Sequence, residues 1–420
     1  MRVGFETMSN SSVSLRPLGL YLHLPFCDHK CAYCDFNSYA GLDHLIPPYT
    51  DALVRDIGLW RDAAADYQVV TVFLGGGTPS LTPLSQLARI FATVRESFAL
   101  AADAEITLEA NPGTVSEPYL RGLHELGVNR LSLGVQSFDD AELLRLDRIH
   151  DAAQAVAAYR AARAAGFANV NLDLIFGLEG QSLAGWQANL RSAVALAPEH
   201  LSLYGLTVEP GTKLAWQVET GAAPAPDPDL QADMYEATTE RMAAGGYEQY
   251  EISNWSRPGR ACRHNLIYWR NQPYLGLGAG AHSCFRGRRF AMIRPPAGYI
   301  ARLRAASGGA ETAGEALQPA FPQIAEEARL EALTDASDTA ILGLRLNEGL
   351  DLDAFAARHG ARLEALAGPA LADLEGWGLL EVADERLRLT PRGRLLSNEV
   401  FLRLLPAELG SVPAMPALRG

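Results

Sequence analysis

A repeating pattern of short apolar runs, each followed by a helical stretch, extends from about residue 18 to residue 285 and constrains the fold most strongly. The six apolar runs occupy residues 20–26, 69–77, 104–113, 130–137, 170–177 and 201–211. Runs of this kind are typical of strands that are buried on both faces of a parallel sheet. Between them, segments such as 83–98 and 151–166 repeat apolar residues at i, i+3 and i+4, which indicates amphipathic helices. Six strand–helix units predict an α/β protein with a partial, TIM-like (β/α)6 barrel.

Polar residues and glycines stand where the predicted strands end. They are Gly75 to Thr78, Glu109, Gln136, Asp173 and Tyr204. Any one of them fits a helix cap or a turn about as well as a binding role. In barrels of parallel strands, however, the carboxyl ends of the strands meet at one face, where ligands bind. Taken together, these residues therefore predict a binding site at the mouth of the barrel.

A different pattern begins after about residue 330, where three helical stretches precede a hairpin pattern and a last helix. We therefore divide the chain into an N-terminal extension (1–17), the barrel (18–300), a linker (301–329), a winged-helix-like domain (330–405) and a tail (406–420). Winged-helix domains often bind DNA. Residues 331–400, however, contain 13 Asp and Glu against 7 Arg and no Lys, and phosphate contacts need the opposite charge. We expect a lid or docking surface here, and no nucleic-acid partner.

The beginning of the chain and its cysteine content indicate the compartment. The first twenty residues have neither an apolar h-region nor a small-residue cleavage site, and no apolar run approaches the ~18 residues of a membrane span. The sequence contains five cysteines, an odd number that argues against a disulfide framework. These features predict a cytoplasmic protein.

Three cysteines, Cys27, Cys31 and Cys34, follow the first predicted strand with the spacing C-x3-C-x2-C. Cysteine thiolates are the protein ligands of iron–sulfur clusters, and three of them would leave one iron of a [4Fe–4S] cluster open. One alternative is a structural zinc held by the three thiolates with His23 or His29, although such sites more often use paired C-x2-C knuckles. The other alternative is that the thiols are unliganded. The spacing favours the cluster.

Several motifs occur in order along the chain: YLHLPFCDHKCAYCDFNSY, FLGGGTPSLT, EANPGT, LSLGVQSF, NLDLIFGLEGQ, YGLTVEPGT and HNLIYW. From about residue 18 to residue 400 the sequence resembles HemW, a family of radical S-adenosylmethionine (SAM) proteins related to the oxygen-independent coproporphyrinogen III dehydrogenase HemN. The resemblance implies a partial (β/α)6 barrel with a helical C-terminal domain, a [4Fe–4S] cluster and SAM. It further implies a heme chaperone that passes heme to a respiratory protein and meets membranes only through that partner.

The resemblance also implies site residues. Cys27, Cys31 and Cys34 would ligate the cluster. The SAM site would be lined by Tyr21, Tyr33, Gly76, Gly77, Thr78, Glu109, Gln136, Arg148 and Asp173, and additionally by Gly205 and His282.

Two features distinguish the HemW-like group from the dehydrogenases. The dehydrogenases carry a fourth cysteine two residues after the third, and this chain has Phe36 there. HemW-like proteins also share an HNxxYW segment, which makes His264, Tyr268 and Trp269 the candidates for heme contact. A histidine beside aromatic residues can offer an axial imidazole and a flat face to a macrocycle. On residue chemistry alone, a packed, hydrogen-bonded histidine is the better interpretation of His264, and the resemblance reverses this preference.

The sequence leaves three candidate functions: a heme chaperone, a coproporphyrinogen III dehydrogenase and a radical SAM enzyme with another substrate. The resemblance favours the heme chaperone, and Phe36 counts against a dehydrogenase that abstracts hydrogen from propionate side chains. A radical SAM enzyme with another substrate, including nucleic acid, fits least well because the net charge is −13. Whether SAM is turned over, and whether the chain forms a homodimer, are left open.

Overall fold

The computed structural model describes residues 15–305, 317 and 320–407. Its strands are β1 (Arg16–Leu24), β2 (Phe26–Cys27), β3 (Tyr39–Ala40), β4 (Tyr67–Gly76), β5 (Ala99–Ala110), β6 (Arg130–Gln136), β7 (Val170–Phe176), β8 (His200–Gly205), β9 (Glu248–Glu251), β10 (Asn254–Ser256), β11 (Tyr274–Leu277), β12 (His282–Phe285), β13 (Arg288–Met292), β14 (Ile324–Arg329), β15 (Leu350–Asp351), β16 (Leu380–Ala383) and β17 (Arg386–Leu389).

The α-helices are α1 (Ile46–Leu59), α2 (Leu84–Ser97), α3 (Glu117–Glu125), α4 (Asp140–Arg145), α5 (Ala152–Ala164), α6 (Leu183–Leu196), α7 (Lys213–Glu219), α8 (Pro228–Ala244), α9 (Arg263–Trp269), α10 (Pro296–Ala305), α11 (Ala332–Leu344), α12 (Leu352–His359), α13 (Leu363–Gly376), α14 (Pro391–Leu395) and α15 (Ser397–Leu402). Short 3-10 helices cover Asp43–Leu45, Pro79–Leu81 and Pro112–Thr114.

A twelve-stranded sheet forms the first domain, in the order β14-β13-β12-β11-β1-β4-β5-β6-β7-β8-β10-β9. The six strands from β1 to β8 along this order are parallel neighbours, which confirms the predicted strand–helix repeat. A seventh parallel strand, β11, pairs with the other side of β1. The order begins with β14 and ends with β9, so the described sheet is open. The prediction of a partial barrel is confirmed, with antiparallel strands extending both of its sides.

Individual residues explain where the main strands and helices form and end. In β1, Leu18, Leu20 and Leu22 are fully buried, and truncating such a side chain to alanine typically costs about 2–5 kcal/mol. Helix α5 begins with a capping box between Asp151 and Gln154, which satisfies backbone N–H groups of the first turn. Gly127 follows α3 with a φ of 97°, a left-handed conformation in which glycine ends helices without strain.

The second domain has its own hydrophobic core and the predicted winged-helix-like order. Helices α11, α12 and α13 precede the β16–β17 hairpin, to which β15 adds a third strand. Phe355, Leu363 and Leu374 are buried in this core. The domain contacts the first one through Arg358, which donates to the backbone oxygen of Asn271 at 2.9 Å.

The boundaries differ from the predicted ones near residues 301–329. Helix α10 continues to Ala305, and β14 pairs with β13, so part of the predicted linker belongs to the main sheet. Residues 306–316 lie outside the described part of the chain, as do most of the predicted extension 1–17 and tail 406–420. In the described part of the chain, no helix is long and apolar enough to cross a membrane.

Candidate functional site

The three clustered cysteines lie in a loop that leaves the carboxyl end of β1. The short strand β2 contains Cys27 and pairs in parallel with β3, which brings the two ends of the loop together. Lys30 closes the loop because its ammonium group donates to the backbone oxygens of Phe36 and Ser38, each at 3.1 Å. The loop therefore has a defined conformation set by the chain's own hydrogen bonds.

Each of the three sulfurs lies near one polar side chain. Cys27 lies 3.5 Å from the Thr78 hydroxyl, Cys31 lies 3.4 Å from the Arg148 guanidinium, and Cys34 lies 3.7 Å from the Ser38 hydroxyl. Burial raises the pKa of Cys27 and of Cys34, so the free side chains favour the thiol. Bound iron would reverse this preference, because a metal ion deprotonates the thiols that coordinate it.

The arrangement of the sulfurs bears on the zinc alternative. Zinc holds its sulfur ligands at about 2.3 Å, so four donors must converge on one point. Among residues 15–305, 317 and 320–407, no three His, Cys, Asp or Glu side chains converge closely enough to hold a single metal ion. An iron–sulfur cluster instead takes each thiolate on a different iron, which requires more widely spaced sulfurs. The donor set fits the cluster better than zinc.

A cavity of about 470 Å³, the first cavity, opens beside this loop at the carboxyl ends of the parallel strands. Besides the three cysteines, the following predicted SAM residues line it: Tyr33, Gly76, Gly77, Thr78, Glu109, Gln136, Arg148, Asp173 and Gly205. Tyr204, another strand-end residue, also lines it. The structure thus brings residues from six strands and their following loops to one place.

The glycine turn after β4 packs closely against the start of the cysteine loop. Gly76 has a φ of 114°, and a Cβ atom there would overlap the imidazole of His23. A Cβ on Gly77 would lie 2.6 Å from the backbone oxygen of Phe26. The backbone N–H of Thr78 donates to that same oxygen at 2.7 Å. Only glycine allows this approach of the two backbones, which places the turn against the sulfurs.

Two carboxyl groups in the first cavity have raised pKa values. Burial, with a further contribution from the charge of Asp173, raises the pKa of Glu109 to about 8, although the backbone N–H of Gly76 donates to it at 3.2 Å. Burial also raises the pKa of Asp173, whose oxygens accept from Asn171 at 2.8 Å and from Ser132 at 3.1 Å. A cationic ligand would relieve the cost of ionising either group.

Two further residues of the first cavity have unmatched hydrogen-bonding atoms. Gln136 has a φ of 67°, an uncommon conformation for a residue other than glycine, and its buried Oε1 has no partner among the described residues. Arg148 donates to the backbone oxygen of Gly134 at 2.7 Å and to Cys31, whereas its buried Nε lacks a described partner. Unsatisfied buried polar atoms are rare, and these two fit a site that is completed by a polar ligand.

A second cavity of about 400 Å³ adjoins the first, and Phe36, Gly76 and Glu109 line both. Two residues predicted for SAM, Tyr21 and His282, line this second cavity and not the first. The resemblance groups Tyr21 and His282 with the SAM residues, whereas the structure places them in the second cavity.

The predicted heme candidates lie at different depths behind the second cavity. Tyr268 lines it, whereas His264 is only 1% exposed and lines neither cavity. The two nitrogens of His264 share hydrogen bonds with the hydroxyls of Thr71 at 2.7 Å and Tyr268 at 2.9 Å, and burial lowers its pKa to about 3. Neither nitrogen is free to bind a metal in this conformation, which matches the alternative of a packed histidine. Trp269 lies in neither cavity and stacks under Arg345, 4.5 Å from its guanidinium carbon.

Sequence reasoning missed the roles of several residues that shape the site. His23, named from the sequence only as an alternative zinc ligand, shares a hydrogen bond with the Tyr21 hydroxyl at 3.0 Å and thereby fixes one wall of the second cavity. Ser132 and Asn171 hold Asp173 in place. A signal for Asn171 was present, because it alternates with Asp173 along β7 and shares its face of the sheet.

Comparisons with known proteins identify the families that this chain is similar to. The model of the radical SAM superfamily matches residues 21–193, and the model of the HemN C-terminal domain matches residues 330–396. The heme chaperone HemW of Mycobacterium tuberculosis is 40% identical over 394 residues, covering 93% of this chain and 95% of that protein. The HemW protein of Bacillus subtilis is 35% identical, covering 91% of this chain and 97% of that protein.

Among solved structures, the coproporphyrinogen III oxidase HemN from Escherichia coli, described as a radical SAM enzyme, matches with a TM-score of 0.78 and 25% identity. The match covers 93% of this chain and 90% of that one. With near-complete coverage at 35–40% identity, the sequence relationship is closer to the chaperones than to this oxidase. The chain belongs to the HemW family of radical SAM proteins.

Proposed function

We propose that this protein is a cytoplasmic heme chaperone that binds a [4Fe–4S] cluster, SAM and one heme, and passes the heme to an acceptor such as a respiratory enzyme. The observation that carries the proposal is the first cavity, where three thiols, a glycine turn and two carboxyl groups meet in a chain that is 40% identical to a named heme chaperone. The heme itself and its acceptor are inferred from the names of those relatives.

The cysteine loop supplies the cluster ligands in this proposal. Cys27, Cys31 and Cys34 would hold the cluster, and the nearby donors on Thr78 and Arg148 would stabilise the negative charge of their thiolates. When bound, the cluster and SAM would together supply one-electron chemistry. The protein contributes the orientation of both groups.

The remaining residues of the first cavity recognise SAM. Glu109 and Asp173 accept hydrogen bonds from its ammonium and ribose groups, and their negative charge complements its positive charge. Gln136 and Arg148 offer polar atoms to its carboxylate and adenine. The glycine turn lets the ligand approach the backbone closely.

Phe36 supports a chaperone over a dehydrogenase. It stands where the dehydrogenases carry a fourth cysteine, and its side chain is 62% exposed between the two cavities. An exposed phenyl ring offers no hydrogen-bonding or redox function, but it offers apolar surface to a flat ligand. The fold similarity to HemN keeps oxygen-independent coproporphyrinogen III dehydrogenase as the second candidate.

The proposed partners follow from the same reasoning. The acidic winged-helix-like domain serves as a lid or docking surface for the heme acceptor, and nucleic acid is not a partner because the domain lacks a positive excess. Contact with a membrane occurs only through a membrane-bound acceptor. A homodimer formed when the cluster is present is compatible with the proposal.

The test compares the two candidate functions on one preparation. The cluster is reconstituted anaerobically, heme is titrated while the Soret absorbance is followed, and turnover of coproporphyrinogen III with SAM is assayed in parallel. We expect saturation at about one heme per chain and no formation of protoporphyrinogen IX. Turnover with weak or absent heme binding would overturn the proposal and establish the second candidate.

A further inference from the structure

We infer that the second cavity is the heme site and that His282, not His264, supplies the axial imidazole, with Arg294 binding a heme propionate. This inference rests on the proposed function, since it names the site for the proposed cargo. Phe36, Tyr268, Tyr274, His282 and Arg294 all line the cavity.

His282 differs from the buried histidines of the first domain in the state of its ring. The ring nitrogens of His23, His150, His200 and His264 are all engaged in hydrogen bonds. The imidazole of His282 is exposed, and it has no hydrogen bond to any residue of the described chain. A neutral imidazole with a free nitrogen is the common proximal ligand of heme iron.

The backbone beneath His282 is held firmly, although its ring is free. His282 is the first residue of β12 and pairs with Ala291 of β13. Next to it, the Ser283 hydroxyl accepts from the backbone N–H of Gly276 at 2.9 Å. A Cβ atom on Gly276 would overlap the backbone oxygen of His282, so the close approach of β11 and β12 requires glycine there. The ligand is thus presented from a rigid hairpin, which lowers the entropy lost on binding.

Arg294 supplies the charge that a heme propionate needs. Its backbone oxygen accepts from the Asn37 side chain at 3.0 Å, which anchors the residue at the cavity. Its guanidinium is exposed and forms no ion pair with any described carboxylate. A guanidinium without a partner beside a ligand cavity favours a carboxylate, which it can bind through two parallel hydrogen bonds.

Aromatic side chains form much of the remaining surface, to which Asn37 and Glu109 add polar groups. Tyr268 and Tyr274 pack edge to face, with ring centroids 4.7 Å apart, and Phe36 exposes most of its ring. Behind them, His264 shares a hydrogen bond with the Tyr268 hydroxyl. The histidine and tyrosine of the HNLIYW segment therefore shape the wall of this cavity, where His264 is a positioning residue. An imidazole and a guanidinium without partners in the described chain, beside aromatic rings, match the iron, the propionates and the flat face of heme.

The experiment uses the full chain with its reconstituted cluster, loaded with ferric heme under anaerobic conditions. Heme spectra are recorded as differences from the cluster-loaded protein, and near-infrared magnetic circular dichroism identifies the axial ligand. We expect His282→Ala to lose the imidazole signature and to bind heme at least about tenfold more weakly, and His282→Cys to gain a thiolate signature. His44→Ala is the matched control, since His44 is exposed but lines neither cavity, and it should behave as the wild type.

The propionate contact is tested with a modified ligand. Arg294→Ala should weaken heme binding about tenfold without changing the ligand signature, and should have no effect on heme dimethyl ester, whose propionates are neutral. Wild-type affinity and an unchanged spectrum in both His282 variants would overturn the inference while leaving the chaperone intact. Failure of the wild-type protein to bind heme would instead overturn the proposed function.

Discussion

Glu109 should release a proton when SAM binds. Burial raises the pKa of this carboxyl from 4.5 to about 8, so at pH 7 about nine-tenths of the side chains are protonated. The positive charge of SAM favours the carboxylate and lowers this pKa. If the pKa falls well below 7, each SAM that binds releases about 0.9 proton at pH 7, and only about 0.1 proton at pH 9, where Glu109 is already ionised.

The raised pKa of Glu109 also makes the stability of the folded protein depend on pH. Because the pKa of Glu109 is raised in the folded state, the neutral carboxyl is favoured there, and stability falls as the pH rises from about 4.5 to about 8. A shift of about 3.5 units corresponds to an upper limit of about 5 kcal/mol. We expect a smaller effect, of about 1–3 kcal/mol, because the carboxyl faces a cavity that admits water.

Isothermal titration of the cluster-loaded protein with SAM, in buffers that differ in ionisation enthalpy, measures the proton release. Glu109→Gln should abolish most of it and weaken SAM binding about tenfold, since the amide keeps the hydrogen bond from Gly76 but carries no charge. Glu209→Gln removes another carboxyl that lines the first cavity and should preserve the release. Equal proton release by wild type and Glu109→Gln at pH 7 would refute the reasoning.

Three further predictions concern single residues. Cys31→Ser should lose the absorbance of the [4Fe–4S] cluster after anaerobic reconstitution while keeping the wild-type far-ultraviolet circular dichroism; retention of a full cluster would exclude Cys31 as a ligand. Gly76→Ala should lower the free energy of unfolding by more than about 1 kcal/mol in a urea titration and weaken SAM binding, because its φ is 114° and a Cβ atom would meet His23; wild-type stability would contradict this strain. His264→Phe should cost about 2–4 kcal/mol in the same titration, because Thr71 and Tyr268 lose their buried partner, and yet keep a histidine-ligated heme; loss of that ligation would make His264 the ligand.

The central strands and the main helices could be predicted because their signals are local. Each of the six runs is mostly apolar, as is typical of a strand buried on both faces, and capping residues such as Ser116 and Asp151 mark helix starts. Strand β11, with only four residues, gave no such signal. Its place beside β1 depends on contacts between residues more than 250 positions apart, such as Gly19 with Tyr274.

The sequence predicts which residues form the candidate site, but it does not predict that they line two separate cavities. Glu109 and Gln136 lie at the carboxyl ends of the parallel strands β5 and β6, which brings them to one edge of the sheet. Asp173 lies in the middle of β7, the next parallel strand, and lines the same cavity. The two cavities share Phe36, Gly76 and Glu109 as lining residues, and no spacing rule in the sequence predicts their division.

The roles of His264 and His282 also could not be predicted from the sequence. A histidine serves equally well as a buried hydrogen-bonding residue or as a metal ligand, and sequence cannot distinguish the two. Burial and the partners on Thr71 and Tyr268 assign His264 to the first role, whereas the exposed ring of His282 has no such partner in the described part of the chain. No motif marks Arg294 in the sequence, because the lack of an ion pair with any described carboxylate is visible only in the structure.

Direct transfer of heme to an acceptor tests the central claim most directly. The heme-loaded, cluster-containing protein is mixed with a heme-deficient respiratory enzyme, and the acceptor's spectrum and activity are followed beside a control with heme-loaded albumin. A chaperone should restore the acceptor with about one heme per chain, faster than heme dissociates into solution. Restoration no faster than spontaneous dissociation, or heme retained by the chain with SAM and the cluster present, would contradict the account.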